Sequence, residues 1–302
     1  MSLTDNWKKI LNRNGRILSA SHADLDGVGC SIVLQNIYKN IEFKSLKYGE
    51  VDSFLKTVNF KNYDCVILTD ISPEFKETFD LSDKIFLLDH HESAVKYHNP
   101  ERNLLVNTKN SASVFVKEFF EKLFNLDLYY LNDLISIIDD FDLWKLQDPR
   151  SKYFNELYFK MYESDFRRRF GNGNTKLTQE EIDYVLERKK QFKETYEKLD
   201  IYEFDSINAC FFISTNFVND ICHKLMEEKG YQLTICINPK SRSCSVRTKE
   251  DCLDVGKVLE ILGLGAGHKK SAGFRLLENE EPSTKIDMIE KYLYYNYEDI
   301  RK

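Results

Sequence analysis

Nothing in the 302 residues approaches the roughly 18 uninterrupted apolar positions that a membrane-spanning helix needs. The longest apolar runs, such as Val66–Leu68 and Ile85–Leu88, are strand-sized. The opening stretch MSLTDNWKKILNRNGR lacks an apolar leader core, so a cytoplasmic location is expected and membrane attachment is not. Close cysteine pairs are missing as well. Cys30, Cys65, Cys210, Cys222, Cys236, Cys244 and Cys252 form an odd, scattered set without metal-finger spacing, which reads as reduced, mostly buried thiols. A basic excess is also absent: 43 Lys plus Arg stand against 49 Asp plus Glu, for a net charge of −6. That balance argues against coating long duplex nucleic acid, but it leaves room for a small anionic ligand in a local pocket. Internal repeats and low-complexity segments are lacking too.

What is present is apolar surface. With 21 Phe and 17 Tyr the chain can bury cores that a disordered protein cannot. At roughly 100–200 residues per domain, its length favours two domains. Segments 16–21, 64–69 and 84–88 are short, β-prone runs that each end at a polar cluster, with helical patterns at 27–39 and 51–58 between them. Strand alternating with helix predicts a parallel sheet covered on both faces. A further apolar run at 103–106 leads into predicted helices at 111–124 and 131–140. Segment 178–200 is helical, highly charged and free of Gly and Pro, and Thr178 with Glu181 forms a capping-box pattern at its start. It reads as a linker helix between a domain over 1–177 and a second over 201–302. The second restarts the pattern with strands at 207–214, 231–237, 243–248 and 272–277, helices at 216–229 and 254–262, and a Gly-rich loop at 263–267. The fold class expected is α/β: a parallel-sheet domain plus a smaller α/β domain.

Each of the first three strands empties into metal-competent side chains: His22, Asp24 and Asp26, then Asp70, then Asp89, His90 and His91. In an open parallel sheet, ligands bind at the carboxyl ends of the strands. Hard carboxylates mixed with imidazoles, and no thiolate, suit a divalent ion such as manganese. So many carboxylates in a small space would repel one another, and two ions offset that charge better than one. Singly, the first segment also reads as a cap and turn, Asp70 as an N-cap, and His90-His91 as a loop. Their joint placement at three successive strand ends is what points to a site.

The second domain holds a local basic balance of +4 over 236–275. There, Gly265, Gly267, Arg247 and His268 could cradle an anion, against the alternative of a solvated basic face. The cluster FRRRF at 166–170 reads either as stacking rings and cations lining a cleft or as a surface helix end.

The segments SHADLDG, LTDIS and LLDHHES resemble the first three motifs of the DHH phosphoesterase superfamily. Segment IIDDFDLW resembles the fourth, with Asp142 favoured as its ligand and Asp140 as the alternative. SVRT at 245–248, DVG at 254–256 and GLGAGHKKSAGF at 263–274 resemble the DHHA1 substrate domain, with Leu264 and Ala266 where that family has glycines. The resemblance implies two divalent ions, manganese first, with magnesium or cobalt as alternatives. It assigns His22 and Asp24 to one ion, Asp26, His90 and the fourth-motif aspartate to the other, and Asp70 to both. It gives Asp89 the task of orienting a histidine, and His91 a contact to the scissile phosphate. Arg247, Gly265, Gly267 and His268 would bind substrate. The motif style resembles nanoRNase B-type oligoribonucleases, which implies hydrolysis of short oligonucleotides or dinucleotides to nucleoside monophosphates, with homodimer formation left open. Cyclic-dinucleotide or 3′-phosphoadenosine 5′-phosphate hydrolysis, a RecJ-like exonuclease and a non-enzymatic nucleotide sensor are the alternatives.

Overall fold

The computed structural model describes residues 2–249 and 253–301, so Cys252 lies outside the described residues. The chain divides into two compact units, one ending at Leu186 and the other beginning at Glu187.

The first unit is built on five strands, β1 (Ile17–His22), β2 (Ile41–Leu46), β3 (Cys65–Thr69), β4 (Ile85–Asp89) and β5 (Leu104–Val106). All pair in parallel, in the order β2-β1-β3-β4-β5. Its helices are α1 (Leu3–Ile10), α2 (Leu25–Gln35), α3 (Val51–Thr57), α4 (Ala112–Phe124), α5 (Asn132–Asp142), α6 (Arg150–Lys160) and α7 (Glu163–Phe170). Alternate strand residues serve opposite faces. Ile17, Cys65, Ile67, Phe86 and Leu88 join the core that α2, α4, α5, α6 and α7 cover. Leu18, Ala20, Val66, Leu68, Ile85 and Leu87 join a second core with Val51 and Leu55 of α3. Burial on both faces is why these strands read as continuous apolar runs.

Three local expectations need correction. The helix expected over 27–39 begins at Leu25 and ends at Gln35, because the Asp24 carboxylate caps it by accepting from the Gly27 N–H at 2.9 Å. Strand β2 has no counterpart among the expected elements. It is an edge strand whose residues alternate between half-buried and exposed as far as Ser45, so its sequence, IEFKSL, lacks a continuous apolar run. In the 166–170 cluster, Phe166 and Phe170 are fully buried in the core. Arg167, Arg168 and Arg169 pair with Glu163, Asp165 and Glu181. The rings therefore support the fold and line no cleft.

Helix α8 (Gln179–Glu197) carries the expected capping box: the Thr178 N–H donates to Glu181 at 2.7 Å, and the Glu181 N–H to Thr178 Oγ1 at 3.2 Å. The division between the units falls inside this helix. No helix among the described residues is long and apolar enough to cross a membrane.

The second unit contains β6 (Ile201–Glu203), β7 (Ala209–Ile213), α9 (Val218–Glu228), β8 (Leu233–Asn238), β9 (Ser243–Thr248), α10 (Val255–Ile261), β10 (Gly265–His268), β11 (Ser271–Arg275) and α11 (Pro282–Asn296). The sheet order is β10-β11-β9-β8-β7-β6. Only β7 and β8 pair in parallel; the other neighbours are antiparallel. One face packs Leu233, Ile235, Val246 and Phe274 against α10 and α11, and the other packs Cys210, Phe212 and Cys236 against α9. Segment 263–267, expected as a Gly-rich loop, instead enters edge strand β10 at Gly265. A Cβ on Gly265 would stand 2.2 Å from the Gly273 carbonyl oxygen, and one on Gly267 2.3 Å from Ala272 Cα. These glycines thus permit close strand pairing. The six described cysteines are all buried and unbridged.

Candidate metal centre

The ends of β1, β3 and β4 and the last turn of α5 bring seven carboxylate or imidazole side chains into three overlapping groups. His22, Asp24 and Asp70 form one, Asp26, His90 and Asp142 a second, and Asp70, His90 and His91 a third. Within each group the potential ligand atoms lie within 4.8 Å of one another. His90 Nε2 stands 3.2 Å from Asp70 Oδ1, 3.6 Å from Asp142 Oδ2 and 3.9 Å from Asp26 Oδ2.

The local sequence explains this convergence. Asp24 takes the Gly27 N–H with one oxygen and places the other 2.6 Å from His22 Nδ1. Helix α2 starts so close to β1 that a Cβ on Gly27 would meet the His22 carbonyl oxygen at 2.0 Å, which requires glycine after Asp26. The Asp26 carboxylate accepts from Ala112 N at 2.7 Å and Ser113 N at 3.0 Å, closing the first turn of α4. Asp70 stands at φ +59, a left-handed conformation that aspartate tolerates better than most residues. Asp89 points elsewhere: it accepts from the His90 and His91 backbone N–H groups at 2.7 and 3.2 Å, from the Ser72 hydroxyl, and lies 2.7 Å from His91 Nδ1. That set of bonds orients His91 and fills the carboxylate's acceptor capacity.

The two aspartates of the fourth motif separate cleanly. Asp142 joins the group with Asp26 and His90. Asp140 instead accepts from Gln147 N at 2.9 Å and Asp148 N at 3.2 Å, which ties down the turn after α5 where Trp144 and Leu146 take positive φ.

The electrostatics fit a cation. Burial, then the charges of Asp24, Asp26, Asp142 and Asp89, pushes the Asp70 carboxyl well above its ordinary range. Asp142 is pushed the same way by burial and by Asp26 and Asp24. Burial also opposes charge on Asp24, but the His22 contact and the Gly27 N–H outweigh it and hold that carboxyl low. His90 is lowered, burial being the largest cause, which favours the neutral imidazole that can act as a ligand. Asp70 Oδ2, His90 Nε2 and Asp142 Oδ2 are buried without a hydrogen-bond partner among the described residues. Such atoms are costly unless something else satisfies them, and hard oxygens beside imidazole match a divalent metal.

Sequence reasoning missed Tyr48. Its hydroxyl lies 2.9 Å from His91 Nε2, and its ring centroid 4.2 Å from that of His22. The only sequence signal is a Tyr-Gly pair after an unrecognised strand.

In the second unit, Arg247 Nε and Nη2 donate to Asn219 Oδ1 at 3.2 and 2.9 Å, and Nη1 donates to the Val246 and Ala272 carbonyls at 2.9 and 3.2 Å. The guanidinium is thus braced by the protein. Arg247 and His268 both pair in register with Ser271, so their backbones lie at one level of the sheet on either side of β11, while the His268 side chain is outside those described. Gly265 and Gly267 stand on the same edge strand as His268.

No family model matches the chain. The chain is similar to oligoribonuclease NrnB of Bacillus subtilis (strain 168), at 23% identity over 293 residues that cover 84% of this chain and 71% of the relative. Its fold is like that of PggH, a pGpG-specific phosphodiesterase from Vibrio cholerae, with TM-score 0.59 and 16% identity over 93% of this chain and 98% of that one. It is also like that of an exonuclease RecJ bound to manganese, with TM-score 0.66 and 12% identity over 99% and 96% of the two chains. With the His-Asp-Asp, Asp and Asp-His-His segments standing in order at the strand ends of this two-sheet architecture, and these likenesses beside them, the chain resembles the DHH phosphoesterase superfamily.

Proposed function

We propose that this chain is a divalent-metal-dependent phosphodiesterase that hydrolyses short oligonucleotides or dinucleotides to nucleoside monophosphates. The observation that carries the reading is the set of overlapping carboxylate–imidazole groups with unpartnered buried atoms on Asp70, His90 and Asp142. In this reading His22 and Asp24 hold one ion, Asp26, His90 and Asp142 hold a second, and Asp70 serves both. Manganese is the favoured metal, supported by the hard-oxygen and imidazole donor set and by the manganese-bound RecJ likeness. Bound ions of this kind supply Lewis acidity toward a phosphoryl group and make water a nucleophile near neutral pH.

The chain's own side chains do the rest. Asp89 fixes the His91 ring through Nδ1, which directs Nε2 to meet a phosphoryl or leaving-group oxygen. Arg247, braced by Asn219, with Gly265, Gly267 and His268 two strands away across β11, would grip a terminal phosphate or nucleotide. A preference for short substrates is supported by the names of the relatives, an oligoribonuclease and a pGpG-specific phosphodiesterase.

The test is release of AMP from the dinucleotide pApA by purified protein with manganese, run beside a five-nucleotide RNA, cyclic di-AMP and 3′-phosphoadenosine 5′-phosphate. Chelation should abolish turnover, and Asp70→Ala should lower it by at least about a hundredfold. Preferential turnover of cyclic di-AMP or of the bisphosphate would replace the substrate assignment. Metal-independent turnover, or an active Asp70→Ala, would overturn the metal reading.

A further inference from the structure

We propose that Tyr48 is a positioning residue for this reaction, its hydroxyl fixing the orientation of His91 from the side opposite Asp89; the inference rests on the phosphodiesterase reading above. His91 is bracketed along its length. Nδ1 lies 2.7 Å from Asp89 Oδ1, and Nε2 lies 2.9 Å from the Tyr48 hydroxyl. A ring held at one nitrogen alone keeps freedom to tilt about that bond, and the second contact removes it.

Tyr48 is itself delivered by a built turn. Glu50 N donates to the Lys47 carbonyl at 3.1 Å, the Glu50 side chain accepts from Lys47 N at 2.9 Å, and Gly49 takes φ +80. That is the geometry of a type II turn, which demands glycine at its third position. The turn follows β2, and the Ala23 N–H donates to the Leu46 carbonyl at 2.9 Å, so it is pinned to the loop between His22 and Asp24. The Tyr48 ring packs at 4.2 Å, centroid to centroid, against His22 and approaches His91 edge-on at 5.9 Å. Yet 52% of the residue remains exposed. Hydrophobic burial alone does not account for an aromatic ring held between two imidazoles at the rim of the site. A phosphoryl oxygen that reaches His91 Nε2 arrives where the Tyr48 hydroxyl already stands, so the hydroxyl either shares that nitrogen's neighbourhood with the substrate or passes the contact to it.

The experiment compares Tyr48→Phe, His91→Ala and the double variant. Tyr48→Phe keeps the ring and removes one hydrogen bond, so kcat on pApA should fall about three- to tenfold with KM and bound manganese unchanged. In the His91→Ala background the same change should cost nothing further, because its route of action is gone. An undiminished kcat in Tyr48→Phe, or an equal loss in both backgrounds, would overturn the proposal. A readout independent of turnover is the imidazole 15N spectrum of the metal-free protein. Tyr48→Phe should shift the His91 Nε2 resonance and leave that of His223 in place, and an unmoved His91 signal would refute the contact. If the wild-type enzyme hydrolyses none of the four substrates while the His91 signal shifts as expected, the phosphodiesterase reading fails and the Tyr48 contact stands.

Discussion

Replacing Asp140 and Asp142 singly by asparagine should move the stability of the metal-free protein in opposite directions, although the two residues stand only two positions apart on α5. Asp140 accepts two backbone N–H groups, from Gln147 and Asp148. An asparagine offers one acceptor oxygen and turns its NH2 toward the other N–H, so at least one charge-assisted bond is lost, at about 1.5–3 kcal/mol. For a unit of this size each kcal/mol is worth about 2–4 °C, so its transition should drop by about 3–12 °C. Asp142 stands on the opposite side of the ledger. Burial and the charges of Asp26 and Asp24 raise its carboxyl, so in the folded state the charged form is disfavoured. A group whose folded pKa is raised in this way loses stability as pH climbs through the ordinary carboxylate range toward the folded value. Asp142→Asn should therefore raise the melting temperature in chelator, and by more at pH 8 than at pH 5. With metal the order reverses: Asp142→Asn should bind one manganese equivalent fewer, and Asp140→Asn should keep the wild-type number. Thermal melts in EDTA and metal counting after manganese saturation check all four outcomes. A stabilised Asp140→Asn that also loses an equivalent would move the fourth-motif ligand to Asp140 and refute the assignment.

Gly27→Ala places a methyl group 2.0 Å from the His22 carbonyl oxygen, so α2 must retreat and carry Asp24 and Asp26 with it. The expected cost is about 1–3 kcal/mol of overpacking, together with weaker manganese binding, measured by melting and by metal titration. Wild-type manganese affinity in that variant would show that the close approach of α2 to β1 does not set the ligand geometry. Arg247→Ala should raise KM for pApA about ten- to a hundredfold by removing a charge-assisted contact. It should leave hydrolysis of bis-p-nitrophenyl phosphate nearly unchanged, because that ester offers little to the second unit. Equal losses on both substrates would withdraw the recognition role.

Strands β1, β3 and β4 are legible in the sequence because burial on both faces makes them continuous apolar runs, and the metal-competent residues are legible because they follow those runs directly. Edge strand β2 is not, since its alternating Glu42 and Lys44 dilute the apolar signal, and the position of Tyr48 is lost with it. The turn that aims Tyr48 depends on Glu50 reaching back to Lys47, a contact that no short pattern announces. Residue type alone does not separate the favoured Asp142 from its alternative Asp140, since both are aspartates near a helix end, with Asp139 a third beside them. The groups they meet tell them apart: Asp139 takes Ser111 N, Asp140 takes the following turn, and Asp142 turns to the His90 side chain. The glycines before His268 and the rings around Arg167–Arg169 misled for a related reason. Glycine marks close backbone approach as readily as a loop, and phenylalanine spaced four apart on a helix marks a core face as readily as a stacking platform.

The carboxylate of Asp26 closes the first turn of α4 and also faces His90. If Asp26 holds an ion as proposed, cation affinity and the docking of that helix draw on one side chain, so the two are thermodynamically linked, and whatever one gains from the other it returns in equal measure. Helix α4 carries Val116 and Phe120 into the main core of the first unit. Under the proposed metal centre, a divalent ion at the sheet edge is therefore part of what keeps a core helix in place, and scarcity of that ion is felt in the hydrophobic interior as well as at the mouth of the site.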